Sequence, residues 1–413
     1  MNEPKSGAAA RVLPPVMLVL LAAAGTFALT MGARQSMGLF LGNMNTATGL
    51  GIASISLAFA FGQLWWGLTQ PVAGMVADRI GAGRVLVAGV VLVAIGTALI
   101  PFMTTTAGLI FAIGVLAAGG AGMAGPSVLM AATTRLIEPA KRGMATGIVN
   151  AGGSFGQFLF APIAQGITAA AGWVAALQSL AVITLLALPA AWVLRGNSRH
   201  LASAGASAAK PLTTREAIGQ AVANRSYQLL CAGFFVCGFH VAFIATHLPG
   251  VVASCQLPPA VGAWALAVIG LFNIVGSFAM GWAVGRWRMK SLLSLVYAAR
   301  AVAVLVFMLA PKTEAVMLIF AAVIGLTYLS TVPPTAGLVA KMFGPANMGT
   351  LFGIVMVSHQ VGGFLGAYMG GKAFEATGSY DWMWYADIVL AVGAALIHLP
   401  IREARLAPRT AAA

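Results

Sequence analysis

Apolar runs alternate with short polar breaks along this chain, and each run is about as long as a bilayer is thick. About 20 apolar residues in a helix cross the roughly 30 Å of hydrocarbon in a membrane. Runs of that length lie near residues 16–42, 50–76, 85–103, 107–134, 143–170, 173–194, 226–251, 260–284, 291–310, 314–340, 349–374 and 382–401. Lipid offers no partner to backbone N–H and C=O groups, so such runs must be helices that satisfy themselves. The pattern predicts an all-α membrane protein of twelve transmembrane helices. The first run is too long for the apolar region of a cleavable signal and is read as a retained span.

One polar stretch interrupts the rhythm. Arg195 to Lys210 is rich in Ala and Ser, and Pro211-Leu-Thr-Thr-Arg-Glu216 after it predicts the start of a short amphipathic helix. The expected organisation is a six-helix bundle over 1–194, a cytoplasmic linker over 195–225 and a second six-helix bundle over 226–413. An internal repeat supports it. Pro139-Ala-Lys-Arg-Gly143-Met-Ala-Thr-Gly147-Ile-Val pairs with Pro345-Ala-Asn-Met-Gly349-Thr-Leu-Phe-Gly353-Ile-Val, an offset of 206 that also carries Gly156 onto Gly362. Gly74-Met-Val-Ala-Asp78-Arg79 pairs with Gly281-Trp-Ala-Val-Gly285-Arg286 at 207. Duplicated halves of this size are a common plan among transporters.

Composition narrows the class further. With 60% hydrophobic and 8% charged residues, the chain has too little polar surface for a soluble enzyme or a disordered protein. The net charge of +14 comes from clusters between apolar runs and forms no continuous basic stripe, so no nucleic-acid partner is expected. Cys231, Cys237 and Cys255 fit no metal-ligand or disulfide pattern, and neither a metal nor a cofactor is expected. With the N-terminus inside, nineteen of the 23 Lys and Arg fall in cytoplasmic segments, Lys312 and Lys372 fall outside, and Arg34 and Arg300 lie within spans. Positive charge is retained on the cytoplasmic side during insertion, so both termini are expected there, in a bacterial inner membrane.

Gly74, Asp78, Arg79, Gly81, Gly83 and Arg84 spell GxxxDRxGxGR between the second and third spans. On this motif and the repeat, the sequence resembles the major facilitator superfamily over nearly its whole length. The resemblance implies two pseudo-symmetric bundles rocking around a midplane site, without enzymatic activity and as a functional monomer surrounded by membrane lipid. In that setting Gly74, Asp78, Arg79, Gly81, Arg84 and the second-copy Arg286 would form a conformational latch. Gly285 replaces the acidic residue in that copy, so Asp78 and Arg79 would carry most of it. Gly152-Gly153-Ser-Phe-Gly156-Gln157, Pro162 and Gly172-Trp173 resemble the monocarboxylate and oxalate:formate branch, which moves small organic anions.

Ionisable groups inside a membrane are expensive and mark function. Arg34 lies deep in the first span, and adding 206 lands on His240 in the seventh, so the two are expected to face each other and to bind an anion. The Arg fork suits a carboxylate. His359 in the eleventh span is a further candidate. Asn150, Gln157, Asn273, Tyr328, Gln63 and Trp66 would add polar or aromatic contacts, His247 would lie nearer the outer surface, and Arg300 would be structural, held by Asp387 or by carbonyls. Ser277 stands where the resembling family has an arginine, and Gly119 to Gly125 lacks the arginine-bearing motif of proton-coupled relatives. Of the nine acidic residues only Asp387 enters a span, near its outer end, so no central carboxylate is expected. Proton cotransport through His240 or His359, anion exchange and uniport all remain open. The expected function is transport of a small organic anion, a monocarboxylate first, with export of amphipathic drugs as the alternative.

Overall fold

A computed structural model describes residues 16–134, 142–194, 214–344 and 348–404. Residues 195–213 of the linker, the leading residues of the Pro139 and Pro345 repeats, and both chain ends lie outside this range. Every described element is helical, with no strand among the described residues. Ten stretches are long and apolar enough to span a membrane. Spans one to four are Val16–Thr48, Ile52–Ile80, Ala82–Phe102 and Thr106–Met130, and spans seven to eleven are Arg225–Ser254, Pro259–Val284, Met289–Leu309, Glu314–Phe343 and Met348–Thr377.

The remaining stretch, Met144–Val193, has 50 residues. At 1.5 Å per residue that is about 75 Å, more than twice the hydrocarbon thickness. Gly172, at φ +86°, breaks it into spans five and six, because a left-handed backbone turns the chain at little cost only for glycine. Asp381–His398 is the twelfth span, and its acidic residues lower its hydropathy. Thr214–Ala223 forms a short helix ahead of span seven, where the polar pattern predicts one.

Within each half the pairing is set by glycines. A Cβ on Gly156 of span five would press on the carbonyl of Ala28 in span one, and a Cβ on Gly362 of span eleven would press on that of Phe235 in span seven. The pairs repeat at intervals of 206 and 207. Apolar side chains do not drive helices together in lipid, so close backbone approach through small residues supplies much of the association.

Spans four and ten are broken at equivalent places. Span four carries a π-helical stretch, Ile110–Ala118, and is interrupted at Ala124 and Gly125 before Pro126 restarts it. Span ten stops at Thr327 and resumes at Val332, next to Pro333. Sequence patterning predicts both as continuous. Hydropathy does not register a break whose freed backbone groups are satisfied inside the protein.

The halves meet along spans two and eleven and along spans five and eight. They meet again where the turn Met37–Phe40 of span one packs on span seven. At that turn, Gly38 lies against the carbonyls of Ala245 and Thr246. The opposite end carries Arg79, Arg84, Arg286, Arg288, Lys290 and Lys341 and is called the basic end here. Spans two and eleven touch from Gly51 and Glu375 to Gly67 and Gln360, whereas Gly74, Gly349 and Gly353, nearer the basic end, meet nothing from the other half, so these two spans are closed at one end and part toward the basic end.

Candidate functional site

The arginine of span one lies beside the turn that closes the non-basic end. Arg34 is largely buried, its Nη2 donates to Gln63 Oε1 of span two at 2.5 Å, and its guanidinium stands 4.9 Å from the Trp66 ring. It lines a small cavity of about 30 Å³. Gln35, Gln63, Thr97 and Thr246 supply polar groups there, and Phe59 and Ile113 apolar wall. Ala245 and Thr246 bring the second half to the cavity edge. No Asp or Glu is among the lining residues, so a permanent cation faces this space with only a neutral amide and an aromatic face as partners.

His240 does not share that cavity. Its Nε2 lies 3.3 Å from Asp387 Oδ1 of span twelve, and both side chains are buried. This corrects two expectations: that His240 faces Arg34, and that no carboxylate sits centrally. Helical repeats relate positions, whereas the direction of a side chain follows its local partners. A buried histidine and a buried carboxylate each cost less together than apart. Arg300 of span nine completes the group. Its Nη2 donates to the carbonyls of Thr327 and, at 2.6 Å, Tyr328, which are groups freed by the break in span ten. The three surround a second, smaller cavity of about 10 Å³, walled by Ile244, Val304 and Tyr328. Of the two partners expected for Arg300 from sequence, Asp387 or carbonyls, its hydrogen bonds go to the carbonyls.

The remaining candidates divide by what holds them. Asn273 is buried; its Nδ2 donates to Ser154 Oγ of span five at 2.8 Å, and its Oδ1 accepts from Leu329 N at 3.0 Å. It therefore links the halves and ties off the break in span ten. Tyr328 donates to the carbonyl of Val241 at 3.0 Å. Gln157 is fully buried on span five with neither amide atom hydrogen-bonded, beside Gly270 of span eight. Asn150 is exposed on the helical stripe between Gly147, which meets Phe278, and Ser154. His359 packs at 4.8 Å on Phe234 with neither nitrogen in an aligned hydrogen bond. His247 is fully buried and bonds the carbonyl of Ala367 at 2.7 Å, a helix-to-helix contact.

At the basic end Gly81 caps span two at φ +98°, and Asp78, Arg79 and Arg84 are exposed around that turn. Gly74 has room beside it, with Ser127 at the limit of contact. Arg286 lies 3.9 Å over the Trp282 ring of its own helix and donates to that residue's carbonyl, so it spans no gap between halves in this conformation.

Twelve spans in duplicated halves, broken helices at mid-depth and a cavity between the halves are the architecture of a carrier. The family model of the Major Facilitator Superfamily matches residues 18–367 and 230–412. The chain belongs to that superfamily. This transporter is 25% identical over 385 residues to the uncharacterized MFS-type transporter YcxA of Bacillus subtilis (strain 168), covering 90% of this chain and 92% of that one. It is also 25% identical over 399 residues to monocarboxylate transporter 13 of Rattus norvegicus, covering 93% and 88%. Among solved structures, it superposes on a bacterial homologue of the human lysosomal transporter Spinster, in an inward-facing and occupied conformation, with a TM-score of 0.73 at 16% identity, over 94% of this chain and 98% of that one. A D-xylose–proton symporter gives 0.70 at 14% identity, over 95% and 100%. At such identities the structures speak for the fold. Superfamily membership makes the protein a multi-pass membrane transporter with a small-molecule substrate, and the family is not enzymatic.

Proposed function

We propose that this transporter carries a small organic anion, a monocarboxylate in the first place, at the Arg34 cavity. The observation that carries this is the guanidinium of Arg34, which faces a membrane cavity lined by no acidic residue. A carboxylate entering there gains a charge-assisted, two-pronged contact and relieves an uncompensated charge. The similarity to monocarboxylate transporter 13 over most of the chain supports the substrate class. Gln63 orients the guanidinium and Trp66 covers its face, while Asn150 is exposed on span five and the buried Gln157 and Asn273 lie at the contact of spans five and eight between the halves.

In this reading the basic end is cytoplasmic, in keeping with retention of positive charge on that side, and both termini are cytoplasmic in a bacterial inner membrane. The parted basic end is then an inward-open state of a monomeric carrier. Asp78 and Arg79 sit where a latch would re-form when the halves rock closed. Thermal stabilisation of the purified protein by acetate, pyruvate, L-lactate, oxalate and succinate, with neutral and cationic drugs as controls, tests this, because a ligand that prefers the folded state raises its stability. Stabilisation by a monocarboxylate that disappears in Arg34→Gln is expected. A response to drugs alone would replace the anion with an amphipathic solute and make the protein an exporter.

A further inference from the structure

The group formed by His240, Arg300 and Asp387 has no part in holding the anion at Arg34, yet it places three ionisable side chains around one small cavity. All three are nearly inaccessible, at 3%, 2% and 1% exposure. Their hydrogen bonding is incomplete: both Asp387 oxygens, His240 Nε2 and Arg300 Nη1 lack an aligned partner. A structural ion pair of this depth would be expected to satisfy every prong, since a partly satisfied buried network costs more than an apolar one. A site that gains and loses a charge must instead leave a position open. We propose that Asp387 is the carboxylate that takes and releases the coupling proton of this transporter, with His240 as the group that passes the proton and Arg300 as the counter-charge. This rests on Arg34 binding a carboxylate.

The charge balance fits cotransport. With Asp387 ionised, His240 neutral and Arg300 cationic, the cluster sums to zero. A hydronium, or an imidazolium at His240, gives its proton to Asp387 Oδ1; a carboxylic acid forms, water or neutral imidazole is left, and the cluster becomes +1. One bound monocarboxylate restores the total of the empty carrier, so loaded and empty forms cross the same electrostatic barrier. The groups facing the cavity are few. Span seven contributes His240, with Cys237 one turn away; span nine contributes Arg300, with the Tyr297 ring beside its guanidinium; span ten contributes Tyr328 and span twelve Asp387. His359 of span eleven and His398 of span twelve pack behind them, on Phe234 and on Tyr297.

A link to the anion site runs through span ten. Arg300 grips the carbonyls of Thr327 and Tyr328 at the helix break, and the Tyr328 hydroxyl donates to the carbonyl of Val241 in span seven, the helix that carries His240 and, further along, Ala245 and Thr246 at the edge of the Arg34 cavity. An ionised Asp387 competes with those carbonyls for the guanidinium, and a protonated one does not. The protonation state thereby biases the break, which lines the Asp387 cavity through Tyr328 and reaches the Arg34 cavity through span seven.

The test uses full-length protein in liposomes, with wild type, Asp387→Asn and Asp387→Glu compared using labelled pyruvate. Two modes are read: uptake driven by a pH gradient with lumenal pyranine reporting protons, and pyruvate/pyruvate exchange at equal pH. Asp387→Asn is expected to lose at least tenfold of the gradient-driven uptake and its proton signal while exchange stays within threefold, and Asp387→Glu to recover part of the driven mode. Retained proton-coupled uptake in Asp387→Asn would overturn the proposal. So would loss of both modes in a variant that is still stabilised by pyruvate, because the residue would then serve the conformational cycle in general. Wild-type exchange without proton movement would overturn it and leave the anion reading standing, whereas no wild-type response to pyruvate or the other carboxylates would fell both.

Discussion

Asn273 does two jobs that can be separated by mutation. Its Oδ1 accepts from Leu329 N inside the break of span ten, and its Nδ2 donates to Ser154 across the halves. Asn273→Ala leaves the Leu329 N–H without an acceptor in a buried position, which costs about 1–3 kcal/mol, and loses the cross-half bond, worth about 0.5–1.5 kcal/mol. The total is about 1.5–4.5 kcal/mol. Ser154→Ala removes the cross-half bond alone, and because that site is only partly buried water can replace the lost partner. For a bundle of about 180 residues each kcal/mol moves the melting temperature by about 2–4 °C. Thermal unfolding of purified protein should therefore fall by about 3–18 °C for Asn273→Ala and by no more than about 6 °C for Ser154→Ala. Accessibility of a cysteine introduced at the basic end should fall in both, since each weakens a contact made with that end open. Equal destabilisation by the two substitutions would refute the claim that Asn273 holds the break.

Three further outcomes are expected. Gly366→Leu, which would drive a side chain into the Phe239 backbone, should cost more than about 3 kcal/mol and prevent accumulation of folded protein, because overpacking against backbone cannot relax; size-exclusion profiles of detergent extracts will show it. Asp78→Asn should slow turnover several-fold while the pyruvate dissociation constant stays within twofold, as read by uptake rate against thermal-shift titration, if the exposed motif re-forms a latch. Lys341→Gln, which breaks a 3.1 Å pair with Glu403 at a half-exposed site, should change stability by less than about 1 kcal/mol, and still less at high salt.

The parts of the site legible in the sequence and the parts that were not differ in a physical way. Arg34 announced itself because a cation in an apolar run is costly wherever it points. The DR motif with Gly81 was equally plain, since a left-handed turn after a span needs glycine. Pseudo-symmetry misled for His240: the offset of 206 names the equivalent position, but Asp387 from span twelve turns the imidazole into its own bundle. Asp387 was read as peripheral for a related reason. Distance from the end of a span says little about depth in the protein when neighbouring helices start at different heights. The break in span ten was silent because its freed carbonyls and N–H groups are met by side chains from other helices, Arg300 and Asn273 among them, and that in span four because its own backbone bridges it, Ala124 N donating to Gly120 O and Gly125 N to Gly122 O.

Span number, the duplication and the asymmetric placement of basic charge were set by the order of residues alone, because the bilayer imposes a length on each run and charge resists transfer across it. Which residues share a cavity was decided by the folded chain. Arg34 joins Gln63, and His240 joins Asp387 and Arg300, through contacts between helices far apart in sequence, and a buried charge takes whichever partner tertiary packing brings within reach.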